Sequence, residues 1–94
     1  MPSLLVRHQV QDYDRWRPLF DQHAEVRKSY GIKSGWLMRS ADNPNEIILY
    51  FEVEDVARAR QFAQSDNLRE VMQQAGVADQ PDLYFFEQEE RIPG

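Results

Sequence analysis

Nine residues in the middle of the chain, NEIILYFEV at 45–53, restrict the architecture more than any other stretch. Side chains of a strand alternate between its two faces. Ile47, Leu49, Phe51 and Val53 therefore share one face, while Ile48 and Tyr50 share the other. A sheet wetted on one side carries apolar residues on a single face. The segment PDLYFFEQ at 81–88 repeats the two-faced pattern, with Leu83 and Phe85 on one side and Tyr84 and Phe86 on the other. Both faces of the sheet that these strands build need cover.

The remaining elements supply cover for one face. Residues 3–11 alternate imperfectly and read as a first strand. Asp12 or Asp14 can cap a helix that runs to about Tyr30, where Gly31 supplies a stop. IKSGWLMRS and NEIILYFEV form two strands joined by the turn ADNPN. DVARARQFAQ is helical in period, SDN offers a fresh cap, and LREVMQQAG continues to Gly76 as one broken helix or two short ones. The order βαββαβ, joined by right-handed crossovers, predicts an α+β, ferredoxin-like, four-stranded antiparallel sheet with helices on one face. It forms a single domain over residues 1–94 with a polar tail at 89–94. Scattered surface aromatics are tolerated in many proteins. A second subunit packed sheet against sheet explains the two-faced strands better, so a homodimer closed into an α+β barrel is expected.

Composition narrows the partners. Eleven basic residues against sixteen acidic ones give a net charge of −5, and the basic residues are scattered among acids. No nucleic acid is expected, because phosphate binding needs a basic face. The absence of cysteine removes disulfides, thiolate chemistry and the usual zinc sites. No apolar run approaches the ~20 residues of a membrane helix, and the N-terminus lacks a signal pattern, so a cytoplasmic protein away from membranes is expected. Four glycines include no phosphate loop, and no serine–histidine–acid motif is present. No carboxylate joins His23 on the inner arc of its helix, and Glu52 on a strand is the one further donor to consider, so neither metal nor cofactor is expected.

The two histidines are the candidate chemistry. On a helical wheel for the first helix, Tyr13, Trp16, Leu19, Phe20, Ala24, Val26 and Tyr30 form one arc, with His23 and Arg27 near its centre. His8 belongs to the set Val6–His8–Val10, which is more apolar than Leu5–Arg7–Gln9 and so favours the helix side. Asp14 to His23 spans about 13 Å of helix, and His8 to Asp12 about 13 Å of strand, which brings the histidines level in the helix–sheet layer. A buried histidine is ordinarily satisfied by a carbonyl or water and serves packing. Two at one depth, with Tyr13, Trp16 and Tyr50 as neighbours and Trp16 and Trp36 as stacking walls, point instead to a pocket that moves a proton to or from an organic molecule.

LLVRHQVQDYDRWRPLFDQH, with its Arg-His pair, V-x-D-Y-x-x-W and F-D-x-H, resembles a group of small bacterial proteins in the dimeric α+β barrel superfamily. That superfamily includes the antibiotic biosynthesis monooxygenases, and some members of the group carry the label cyclase. The resemblance continues through DNPNEIILYFEVEDVARARQFAQSDNLREVMQQAGV and PDLYFFE. It implies a homodimeric barrel with a small-molecule cleft between sheet and helices. It places the pattern at His8, Asp12, Tyr13, Trp16 and His23. Cofactor-free monooxygenases of the superfamily act on polycyclic phenols or quinols through a substrate carbanion that meets oxygen. The Asn–Trp–His set of haem-degrading relatives is not recognisable here. Three functions follow as alternatives: a monooxygenase- or cyclase-like enzyme with His8 and His23 as catalytic groups and Asp12, Tyr13, Trp16, Arg27, Trp36 and Tyr50 as ligand contacts; a non-catalytic binder of a small aromatic ligand; or a stress-associated barrel without a ligand.

Overall fold

The computed structural model describes residues 2–77 and 81–94. Its elements run β1 (Ser3–Gln9), α1 (Tyr13–Gln22), α2 (Ala24–Ser29), β2 (Ile32–Arg39), β3 (Glu46–Val53), α3 (Val56–Ala63), α4 (Asp66–Gln74) and β4 (Asp82–Phe86). The strands form one antiparallel sheet in the order β2-β3-β1-β4, the ferredoxin-like arrangement expected from the element order. Residues 87–94 are exposed and carry no regular structure. No helix among the described residues is long and apolar enough to cross a membrane.

Local chemistry sets the boundaries. The Asp12 carboxylate accepts from the Asp14 amide at 3.1 Å and caps α1. Asp55 and Ser65 cap α3 and α4 in the same way. Gly31 and Gly76 take positive φ at helix ends, where a side chain would strain the backbone. The first helix does not run unbroken to Tyr30. It breaks at His23, whose amide is shared between the Leu19 and Phe20 carbonyls at 3.2 Å each. The second helical segment is two short helices.

The core lies between the helices and one sheet face. Leu4, Val6 and Val10 of the first strand region, Ile47, Leu49, Phe51 and Val53 of β3, and Trp16, Ala59 and Phe62 of the helices are all buried. The opposite face bears the row Trp36–Tyr50–Leu5–Tyr84 across the four strands in register, flanked by Met38, Ile48 and Phe86. Trp36 is 72% exposed, Tyr84 51% and Met38 46%.

One irregularity decides which β2 residues join the core. Ile32 pairs with Val53 and Gly35 with Phe51, so β2 holds one residue more than its partner between these pairs. This bulge switches the parity of the strand. Ile32 and Leu37 therefore both meet the core, and Trp36 turns to the open face. Gly35 is obligatory there, because a Cβ would stand 1.8 Å from the Tyr50 carbonyl oxygen. Gly35→Ala is expected to cost more than about 2 kcal/mol of stability and to disturb the β2–β3 pairing. Denaturant unfolding together with amide exchange in β2 checks this; a variant as stable as wild type would contradict the close approach.

Candidate functional site

The turn from β1 into α1 is fastened on two sides. The Val10 amide donates to the Asn45 carbonyl at 2.9 Å, and the Asn45 side chain accepts from the Tyr13 amide at 3.0 Å. The Gln11 amide donates to the Gly76 carbonyl at 2.8 Å, beside a single bridge between Val10 and Val77. Reversing this sharply, the chain lays Trp16 directly over the strand it has just left. The His8 and Trp16 rings meet edge to face at 5.5 Å, and Trp16 stacks on Phe20 at 4.8 Å.

His8 does face the helices, as the Val6–His8–Val10 pattern suggests. It is 6% exposed, and among the described residues neither ring nitrogen has a hydrogen-bond partner. Burial pushes its pKa down from 6.5 to about 4. The imidazole is therefore neutral at physiological pH, with one nitrogen able to donate and the other to accept. Leaving such a group unpaired costs roughly 1–3 kcal/mol on protein scales.

His23 has a different situation. It is 7% exposed, its Nε2 donates to Asn67 Oδ1 at 3.0 Å, and its ring packs near Phe62 at 5.9 Å. The two histidines line one cavity. The residue opposite His8 is Trp16, and His23 follows seven residues later, about 10 Å further along the helix direction. The reversal falls at Asp12 as expected, although β1 itself ends at Gln9.

The cavity holds about 80 Å³ between β1, β3 and β4 on one side and the helices on the other. Its walls are His8, Trp16, Phe20 and Phe51, with Leu68, Val71 and Met72 of α4 above. No residue within α4 is itself buried. Arg27 lines the cavity too, its guanidinium 3.8 Å over the Phe20 ring and its Nη1 donating to the Phe20 carbonyl at 2.7 Å. Among the described residues, no three His, Cys, Asp or Glu side chains gather as a metal site would require.

Of the ligand contacts expected from sequence, Trp16 and Arg27 stand at the cavity. Tyr13 packs against Trp16 at 5.8 Å but is occupied elsewhere, its hydroxyl accepting from Arg17 and its ring lying under Arg39 at 3.7 Å. Asp12 is an exposed helix cap. Trp36 and Tyr50 oppose each other on the other face of the sheet and are no part of this cavity. The parity of NEIILYFEV already separated Tyr50 from Phe51; the bulge, which no sequence signal marks besides Gly35, removed Trp36. The sequence pattern marks Asn67 only as part of the SDN cap and gives no signal for the α4 side chains that roof the cavity.

The His8 shift gives a signed expectation. Between pH 6.5 and about 4 only the unfolded chain binds a proton at this residue, so stability falls as pH drops through that window and levels off below it. The contribution is about 3 kcal/mol. Denaturant titrations across the window, paired with an NMR titration of the His8 ring, check this; a His8 midpoint near 6.5 would contradict the desolvated site.

No family model matches the chain, and no curated protein matches it. Solved structures do. A Bordetella bronchiseptica protein that carries the antibiotic biosynthesis monooxygenase name superposes with a TM-score of 0.75 at 18% identity, over 98% of this chain and 97% of its own. SnoaB, a cofactor-independent oxygenase from Streptomyces nogalater, gives 0.75 at 14% identity, over 99% and 97%. Rv0793 of Mycobacterium tuberculosis gives 0.66 at 15% identity, over 99% and 100%. The chain thus has the ferredoxin-like α+β fold of the antibiotic biosynthesis monooxygenase group.

Proposed function

We propose that the protein is a homodimeric small-molecule-binding α+β barrel whose cavity beneath α4 takes an aromatic hydroxylated ligand at His8. The observation that carries this reading is the neutral His8 imidazole, unpartnered among the described residues, in a wall of Trp16, Phe20 and Phe51. A phenol or quinol hydroxyl supplies the missing hydrogen bond, and the rings supply stacking surface. His23 has a partner in Asn67 and serves to position the helix break rather than to transfer protons. At about 80 Å³ the cavity is smaller than the roughly 150 Å³ that accepts benzene elsewhere, so the ligand enters by displacing the lightly held α4 roof.

The fold shared with a cofactor-independent oxygenase supports an oxygenation step. His8 accepts the substrate proton, the resulting carbanion combines with dioxygen, and loss of water leaves a carbonyl, so that CH₂ and O₂ become C=O and H₂O. The second reading is a non-catalytic binder, and the low basicity of His8 favours it. Oxygen-electrode measurements with a quinol panel separate the two. Uptake above the buffer rate that falls at least about tenfold in His8→Leu supports the enzyme. A ligand that raises the melting temperature, is recovered unchanged and consumes no oxygen supports the binder. Neither effect with any panel member would contradict the pocket itself.

The open sheet face is the dimer surface in this reading. A second copy covers the Trp36–Tyr50–Leu5–Tyr84 row and removes the exposed apolar patch from water. Sedimentation at micromolar concentration is expected to give a dimer and Trp36→Lys a monomer; a monomeric wild type would contradict it.

A further inference from the structure

The guanidinium of Arg27 carries five N–H donors, and the fold uses one of them, on the Phe20 carbonyl. That contact fits a cation near the last turn of α1. Yet among the described residues no carboxylate lies within ion-pair distance of Arg27, and Asp21 is taken by Arg17 at 3.0 Å. The group is half-buried, and burial draws its pKa below the ordinary arginine value, with Asp21 opposing in part. A half-buried cation with no direct ion-pair partner keeps donors free for an anion.

Arg27 also lines a groove of about 410 Å³ between the α1–α2 helices and β2. This lies within the roughly 300–1,000 Å³ of ordinary small-molecule sites. Among the described residues that line the groove, Arg17, Arg27 and Lys33 are cationic and none is acidic, in a chain of net charge −5. The β2 bulge contributes Lys33, Ser34 and Gly35, while Ile32 and Leu37 give an apolar wall. Phe20, Arg27, Leu49 and Phe51 border both groove and cavity, so the Phe20–Arg27 stack is the partition between them.

We propose that this groove binds a small aromatic carboxylate, with the carboxylate on the free donors of Arg27 beside Lys33 and the ring against Ile32 and Leu37. A planar guanidinium matches a carboxylate through two parallel hydrogen bonds. The site goes beyond the cavity reading, because it makes no use of His8.

The test is an NMR titration of the full chain with 2-naphthoate and, in parallel, with its neutral isostere 2-naphthamide. Millimolar naphthoate is expected to shift the amides of Lys33 to Gly35 and the Arg27 side-chain signal, with naphthamide about tenfold weaker or more. Arg27→Gln is expected to lose about tenfold or more in naphthoate affinity, and Arg27→Lys to recover part of it. His8→Leu is expected to leave groove binding unchanged, so failure of the cavity reading shows separately. Equal binding of acid and amide overturns the proposal, as does undiminished binding by folded Arg27→Gln or shifts confined to Trp16 and the α4 side chains. Should Arg27→Gln not fold, the acid–amide comparison on wild type decides alone.

Discussion

The turn after β1 is the constraint on which the rest depends. Asn45 holds it from the β2–β3 turn through a backbone carbonyl and a side-chain carbonyl, and Gly76 holds it from the end of α4. These bonds fix where α1 begins, and the start of a rigid helix fixes the height of every side chain on it. Trp16 consequently lands on His8, Phe20 near Phe51 at 6.4 Å, and Arg27 back upon Phe20. One tether thus sets an aromatic column running from the histidine to the arginine. Its amide and carbonyl partners are backbone or short side chains, which leave little room for adjustment.

The column divides the space between helices and sheet into two compartments of opposite character. On one side lies an apolar cavity with a neutral imidazole. On the other lies a larger groove ringed by cations. The difference follows from what surrounds each polar group. His8 sits under Trp16 among apolar side chains and gives up its charge, whereas a guanidinium cannot do so at neutral pH and keeps contact with the groove. The same fold hosts many chemistries, so function here is argued from these two groups rather than from architecture.

Much of this architecture is legible in the chain. Alternation in NEIILYFEV and PDLYFFEQ gives the strands, while Asp12, Asp55 and Ser65 give the helix starts. The resemblance carried by Arg-His and V-x-D-Y-x-x-W points to the fold that the solved structures share. The face of His8 was legible too, from the apolar character of Val6 and Val10. What failed was geometry that depends on partners distant in sequence. The break at His23 accompanies a hydrogen bond to Asn67, 44 residues away, and falls five residues beyond the local breaker, Pro18, which stands inside α1. The placement of Trp36 reverses because of a single extra residue before Gly35, and helical or strand period cannot report an insertion of that kind. The expected nearness of the two histidines is met to the extent that both line one cavity, although β1 ends at Gln9, short of the Asp12 to which the strand was measured.

The central claim is that two histidines of nearly equal burial have different employment, His8 held unpaired for a ligand and His23 bonded for structure. Unfolding free energies of His8→Leu and His23→Leu beside wild type, without ligand at neutral pH, test it most directly. The account predicts that His8→Leu is as stable as wild type or more so, since an apolar side chain replaces an unsatisfied polar one. It predicts that His23→Leu loses about 1–3 kcal/mol, because Asn67 is left without its partner. A loss of that size in His8→Leu, with none in His23→Leu, would contradict the assignment of roles.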